Sequence, residues 1–174
     1  MRKALLHLNH TLIKSLIHDK SIVLDMTLGH GNDSFSIAPY VKHIYAFDIQ
    51  ESALLSAQSK LSEFTNITYI HDSFTQFATY VDTFDLAIFN LGYLPKGDKS
   101  ITTLKEDTLL AIQVIIQKYT HATIVIMSYL GHDEGLQEFH TLESYFHTLE
   151  SHHVIKSSLI HDALAPVMFW IYKK

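Results

Sequence analysis

Apolar and polar residues alternate along this chain in two rhythms, one of helical period and one of short apolar runs. Leu5, Leu8, Leu12, Leu16 and Ile17 recur near helical spacing, which predicts a helix over 4–18. A short apolar run at 21–25, ending in Asp25, predicts the first strand. The pattern then repeats: a helix over 33–40 closed near Pro39, a strand over 43–48, and a helix over 51–64 with Leu54, Leu55, Ala57 and Leu61 inward. A strand over 67–70, a short helix over 73–80 and a strand over 84–90 (F-D-L-A-I-F-N) follow. After a loop over 91–102 come a helix over 103–119, a strand over 122–128, a helix over 133–149, and strands over 153–160 and 167–172. Leu109, Ile112, Ile115 and Ile116 read as core, and Trp170 as packing. Strands that alternate with helices predict an α/β fold, a mostly parallel sheet covered on both faces. The 161–166 connection is too short for a crossover helix, so the last two strands should be antiparallel.

Composition narrows the class. A chain of 174 residues reads as one domain, 1–174, burying roughly two-thirds of its unfolded surface. Hydrophobic content of 47% with 18% charged residues is that of a folded protein. No apolar run approaches the ~20 residues of a membrane span. The opening M-R-K-A-L-L-H-L-N-H is broken by histidine and reads as a helix rather than a signal peptide. The absence of cysteine excludes disulfides, thiolate metal sites and cysteine nucleophiles, and fits a cytoplasmic protein. A net charge of −5 argues against broad adhesion to nucleic acid but leaves room for a local basic patch. The 13 histidines, His7 with His10 and His152 with His153 among them, show no H-E-x-x-H spacing, so structural roles are favoured and no metal is expected.

The chemistry concentrates in residues 23–33, V-L-D-M-T-L-G-H-G-N-D. A strand ends in Asp25, two glycines follow at Gly29 and Gly31, and a helix begins. Glycine turns the backbone through positive φ and admits a ligand without a Cβ in the way, and a helix start offers free N–H groups. The second strand ends in Asp48, placed to accept hydrogen bonds from ribose hydroxyls. The pattern points to a nucleoside-bearing cofactor at the carboxyl ends of parallel strands. Asp25, Thr27, Gly29, Gly31, Asn32, Asp33, Asp48, Gln50, Asp72, Ser73 and Asn90 are the candidate cofactor-binding positions. Gly29-x-Gly31 alone is also a common turn, and Asp72 beside Ser73 reads equally well as a helix cap.

These residues resemble the class I S-adenosylmethionine-dependent methyltransferases, a Rossmann-like fold with an antiparallel terminal strand pair. Asn90-Leu91-Gly92-Tyr93 stands where amino-methylating members carry an Asn/Asp-Pro-Pro-Tyr type motif, with Leu91 and Gly92 in the proline positions. More narrowly, D-M-T-L-G-H-G-N-D, A-F-D-I-Q, N-L-G-Y-L-P-K-G-D-K and S-Y-L-G-H-D-E-G are similar to a small bacterial family once labelled rRNA methylases. Its members methylate the 5-aminomethyl group of the tRNA wobble uridine. His30 and Asn32 are exchanged relative to the family's usual G-N-G-H-D order, and Leu130 replaces a usual proline. The resemblance implies S-adenosylmethionine as cofactor, the tRNA anticodon loop as partner, and a homodimer.

Asn90 and the Leu91 carbonyl would then orient the acceptor amine, and Tyr93 would stack on the uracil. Asp98 and His132 are candidates for proton uptake. Lys96, Lys99 and Lys105 would meet anticodon phosphates, with a merely solvated loop as the alternative. Three other readings compete: a methyltransferase for a small amine or another RNA, a nicotinamide-dependent dehydrogenase with a degraded Gly29-x-Gly31-x-x-Ser34 fingerprint, and a non-catalytic cofactor-binding module.

Overall fold

The structure, a computed structural model, describes residues 2–91, 105–131 and 133–174. Its frame is a seven-stranded sheet in the order β3-β2-β1-β4-β5-β7-β6. The strands are β1 (Ile22–Asp25), β2 (His43–Asp48), β3 (Ile67–His71), β4 (Leu86–Leu91), β5 (Thr123–Ser128), β6 (His152–Ser157) and β7 (Val167–Lys173). The first five are mutually parallel. β7 returns between β5 and β6 and runs antiparallel to both. The expected antiparallel pair is therefore present. Its insertion in the middle of that half of the sheet depends on long-range pairing that no local pattern encodes.

The helices are α1 (Arg2–Leu16), α2 (Asn32–Ile37), α3 (Glu51–Lys60), α4 (Lys105–Lys118) and α5 (Asp133–Phe146). Neighbouring strand residues point to opposite faces. Val23, Ile44, Ile88 and Val125 join one buried cluster with Ile13, Ile37, Leu54 and Leu61. Leu24, Phe47, Phe89 and Ile126 join the other with Ile112, Ile115, Phe139 and Leu142. Covering both faces is what makes the central strands apolar without alternation.

Several expected ends move. The helix expected over 33–40 divides into α2 and a 3-10 turn, Ala38–Tyr40, because Pro39 has no N–H to continue an α-helix. The segment after β3 is a 3-10 turn, Phe74–Thr79. Leu55 faces solvent, and the buried side of α3 is Ala53, Leu54 and Ala57. In α1 the expected inward residues Leu8 and Leu16 are exposed, and the buried stripe is Leu5, Asn9 and Ile13.

Candidate active site

The carboxyl ends of β1, β2 and β4 bring the candidate residues to one edge. β1 lies between β2 and β4, and the connections leave it in opposite directions, which opens the crevice where α/β folds bind ligands. The backbone leaving β1 is pinned on both sides: Met26 N–H donates to the Ile88 carbonyl and Leu28 N–H to the Phe47 carbonyl, each at 2.9 Å. Gly29 and Gly31 then take positive φ, 51° and 69°.

The two glycines serve different ends. A Cβ on Gly31 would stand 2.7 Å from Leu61 Cδ1 and 3.2 Å from Ala57 Cβ, so close packing against α3 demands glycine there. Gly29 N–H donates to Asp48 Oδ2 at 2.9 Å, and Gln50 N–H donates to Asp48 Oδ1 at 2.9 Å. Asp48 thus locks the glycine turn to the end of β2. Each of its oxygens keeps lone-pair capacity for a further donor, which is what two vicinal ribose hydroxyls need.

Asp25 is buried and accepts from Ser34 Oγ–H at 2.6 Å and, at 3.4 Å, from Thr27 N–H. Burial first, and then the Asp33 charge, push its carboxyl up to about 7. Asp72 accepts from Ser73 N–H at 2.7 Å and from Tyr80 O–H at 2.8 Å, while Ser73 Oγ caps the following turn through Thr75 N–H. Ser73, not Asp72, is therefore the cap of that turn. Asn32 is exposed, its Oδ1 receiving the Lys60 ammonium.

Asp33 was expected among the cofactor-binding positions, and each of its oxygens has a partner within the protein. Oδ1 lies 2.6 Å from His10 Nε2 on α1, and Oδ2 accepts from Asn90 Nδ2 at 2.6 Å. Asn90 N–H donates to Thr27 Oγ1 at 2.7 Å. Because a carboxylate only accepts, the Asn90 amide must turn its NH2 toward Asp33 and its oxygen away. That oxygen is buried and has no hydrogen-bond partner among the described residues. Tyr129 follows β5 on the same edge; desolvation, then the Asp33 charge, raise its hydroxyl to about 12. Leu91 ends β4, is buried, and pairs with Ser128. Lys105 begins α4, with Nζ 3.5 Å from Gln137 Oε1 and 3.9 Å from Glu106 Oε1. The expected roles of Gly92, Tyr93, Lys96, Asp98, Lys99 and His132 fall outside the described residues.

Two members of this constellation escaped the sequence reading. Tyr129 had a signal, since the residue after any parallel strand shares the ligand edge. His10 had none: 23 residues separate it from Asp33, and only the docking of α1 brings them together. Among the described residues no three His, Asp or Glu side chains converge as a metal site, and no helix is long and apolar enough to cross a membrane.

The ends of β1 and β2 bring Asp25, Asp33 and Asp48 together beside a glycine turn, with Asp25 and Asp33 buried beneath and Asp48 at the turn itself. Known proteins share the fold and part of the sequence. The chain is 28% identical to the chloroplastic tRNA (mnm(5)s(2)U34)-methyltransferase of Arabidopsis thaliana, over 99% of this chain and 70% of that one. A Clostridium thermocellum protein titled as an rRNA-methylase superposes with TM-score 0.91 at 29% identity, covering 97% of each chain. The Streptococcus mutans methyltransferase SMU.1697c, solved in complex with SAH, does so with TM-score 0.88 at 30% identity, again over 97% of each chain. Residues 44–173 match the family model described as "Putative rRNA methylase". The chain belongs to that family and is an enzyme, a methyltransferase with the Rossmann-like fold.

Proposed function

We propose that this protein methylates the 5-aminomethyl nitrogen of the wobble uridine in tRNA. The observation that carries this reading is the Asn90 amide, held by Asp33 with its oxygen buried and unpaired at the ligand edge of β4. An acceptor amine supplies the N–H such an oxygen lacks. The likeness to the Arabidopsis thaliana enzyme, over 99% of this chain, supports the choice of a tRNA amine over a small one.

The cofactor is S-adenosylmethionine. It supplies a methyl on a cationic sulfur, which leaves as a neutral thioether when the amine lone pair takes the methyl carbon. Asp48 is the residue to hold the ribose, and the Gly29 turn locked against it keeps side chains out of the crevice. The remaining work is positioning, which contributes much of the rate when donor and acceptor must align. Asn90 accepts an N–H of the neutral amine and aims its lone pair. We assign stacking on the uracil to Tyr93, proton uptake to Asp98 or His132, and anticodon phosphates to Lys96, Lys99 and Lys105. A wobble base lies in a single-stranded loop, so exposing it costs less than in a duplex. We read the whole chain as one domain acting in the cytoplasm, where the absence of cysteine is at home, and as a homodimer whose joint surface contacts the tRNA.

The test is nucleoside mass spectrometry of tRNA from a deletion strain, joined to methyl transfer in vitro. Accumulation of aminomethyl-uridine, with its conversion by the purified protein, is expected. Unchanged wobble nucleosides, or transfer to a small amine but not to that tRNA, would overturn the tRNA reading.

A further inference from the structure

We propose that His10 is a positioning residue for the methyl acceptor, acting through Asp33 on Asn90. This deepens the proposed function and rests on it. The Asp33 side chain is 5% exposed and that of His10 20% exposed, so the pair closes the α1 side of the crevice. His10 Nε2 must donate to Asp33 Oδ1 at 2.6 Å, since a carboxylate oxygen only accepts. With one oxygen held there, Asp33 has a fixed orientation, and its other oxygen takes Asn90 Nδ2 at 2.6 Å. The Thr27 hydroxyl holds the Asn90 backbone N–H at 2.7 Å. Three contacts from three elements thus leave the Asn90 amide one way to face.

The outcome is a buried amide oxygen, not an NH2, left without a hydrogen-bond partner among the described residues, and we assign that acceptor to the incoming group. A reversed amide would offer donors to an amine whose lone pair must instead point at the methyl. His10 touches neither the amine nor the cofactor in this account. It prevents Asp33 from rotating and so prevents the Asn90 amide from flipping. Neighbouring Asn9, buried in the α1 stripe between Leu5 and Ile13, also has an Oδ1 without a hydrogen-bond partner among the described residues.

The test uses His10→Ala and His10→Gln in the full-length protein, with thermal melting as the check on folding. Gln keeps a side-chain N–H for Asp33. For His10→Ala, kcat with saturating aminomethyl-uridine tRNA should fall roughly tenfold or more, while tRNA KM and S-adenosylhomocysteine affinity by calorimetry stay within about twofold. His10→Gln should recover most of the turnover. The independent readout is the 15N–1H spectrum of the Asn90 side-chain amide, assigned by its loss in Asn90→Ala. Its Asp33-bound proton should move upfield in His10→Ala, toward its place in Asp33→Ala, and return in His10→Gln. An unmoved signal, a rise in tRNA KM with kcat intact, or His10→Gln as impaired as His10→Ala would overturn the proposal. If wild-type protein transfers no methyl to this tRNA, the functional reading fails alone, and the amide signal decides the role of His10.

Discussion

Replacing Asp48 should separate cofactor binding from folding, because the structure shows how its hydrogen-bonding capacity is divided. Oδ2 takes Gly29 N–H and Oδ1 takes Gln50 N–H, both at 2.9 Å. One further acceptor site per oxygen remains for the two ribose hydroxyls. Asp48→Ala removes both, and a hydrogen bond to a charged group contributes about 1.5–3 kcal/mol. Affinity for S-adenosylhomocysteine should therefore fall by roughly 10- to 150-fold for each bond lost, so by about 150-fold or more when both are lost. Asp48→Asn should be no milder, although it is isosteric. Its oxygen can satisfy one backbone N–H, but its NH2 then points at the other, donor against donor. The Gly29 turn or the Gln50 end must open, and one ribose hydroxyl also loses its acceptor. Isothermal calorimetry, with melting curves to confirm folding, measures all three proteins. If either variant stays folded and binds within threefold of wild type, Asp48 is not the ribose acceptor. If Asp48→Asn binds markedly better than Asp48→Ala, the donor conflict is not felt.

Three further outcomes are expected. Asn90→Ala should lower kcat by about ten- to a hundredfold while leaving cofactor affinity nearly intact; a calorimetric loss with turnover spared at saturating cofactor would move Asn90 to the other side of the site. Asp25, raised to about 7 by burial and by Asp33, holds in the fold a proton that the unfolded chain releases near the usual carboxylate range. Its stabilising contribution is complete below about pH 4 and declines as pH rises through 7, so Asp25→Asn should flatten this part of the urea-midpoint profile, and parallel wild-type and variant profiles from pH 4 to 8 would refute that. Gly31→Ala combines a left-handed backbone with overlap on Leu61, which should cost about 2–4 kcal/mol in urea unfolding. A second change, Leu61→Val, should return part of that loss, and a neutral Gly31→Ala would show that α3 yields there.

The strand and helix alternation was legible in the sequence because both faces of this sheet are covered, leaving apolar runs at Val23, Ile88 and Val125 that end abruptly in polar residues. The same logic exposed the candidate ligand edge: Asp25 and Asp48 close their strands, Asn90 stands one residue before the end of its own, and parallel strands bring such residues to one side. Periodicity could not say which α1 residues face inward, because that helix packs Leu5 and Ile13 into the core and also carries His10 to Asp33. Asn9 is buried while Leu8 is exposed, against any hydrophobicity rule. Nor could spacing reveal that Gly31 is required by α3 packing, or that Asp33 spends its oxygens on His10 and Asn90. Strand and helix types follow from local backbone and side-chain preferences that a short window contains. The hydrogen-bond partners of a buried carboxylate do not, since they arrive from segments 23 and 57 residues away once helices dock. Local chemistry thus marked the strand ends to which we assign the cofactor, and tertiary packing alone decided which partners Asp33 and Asn90 take.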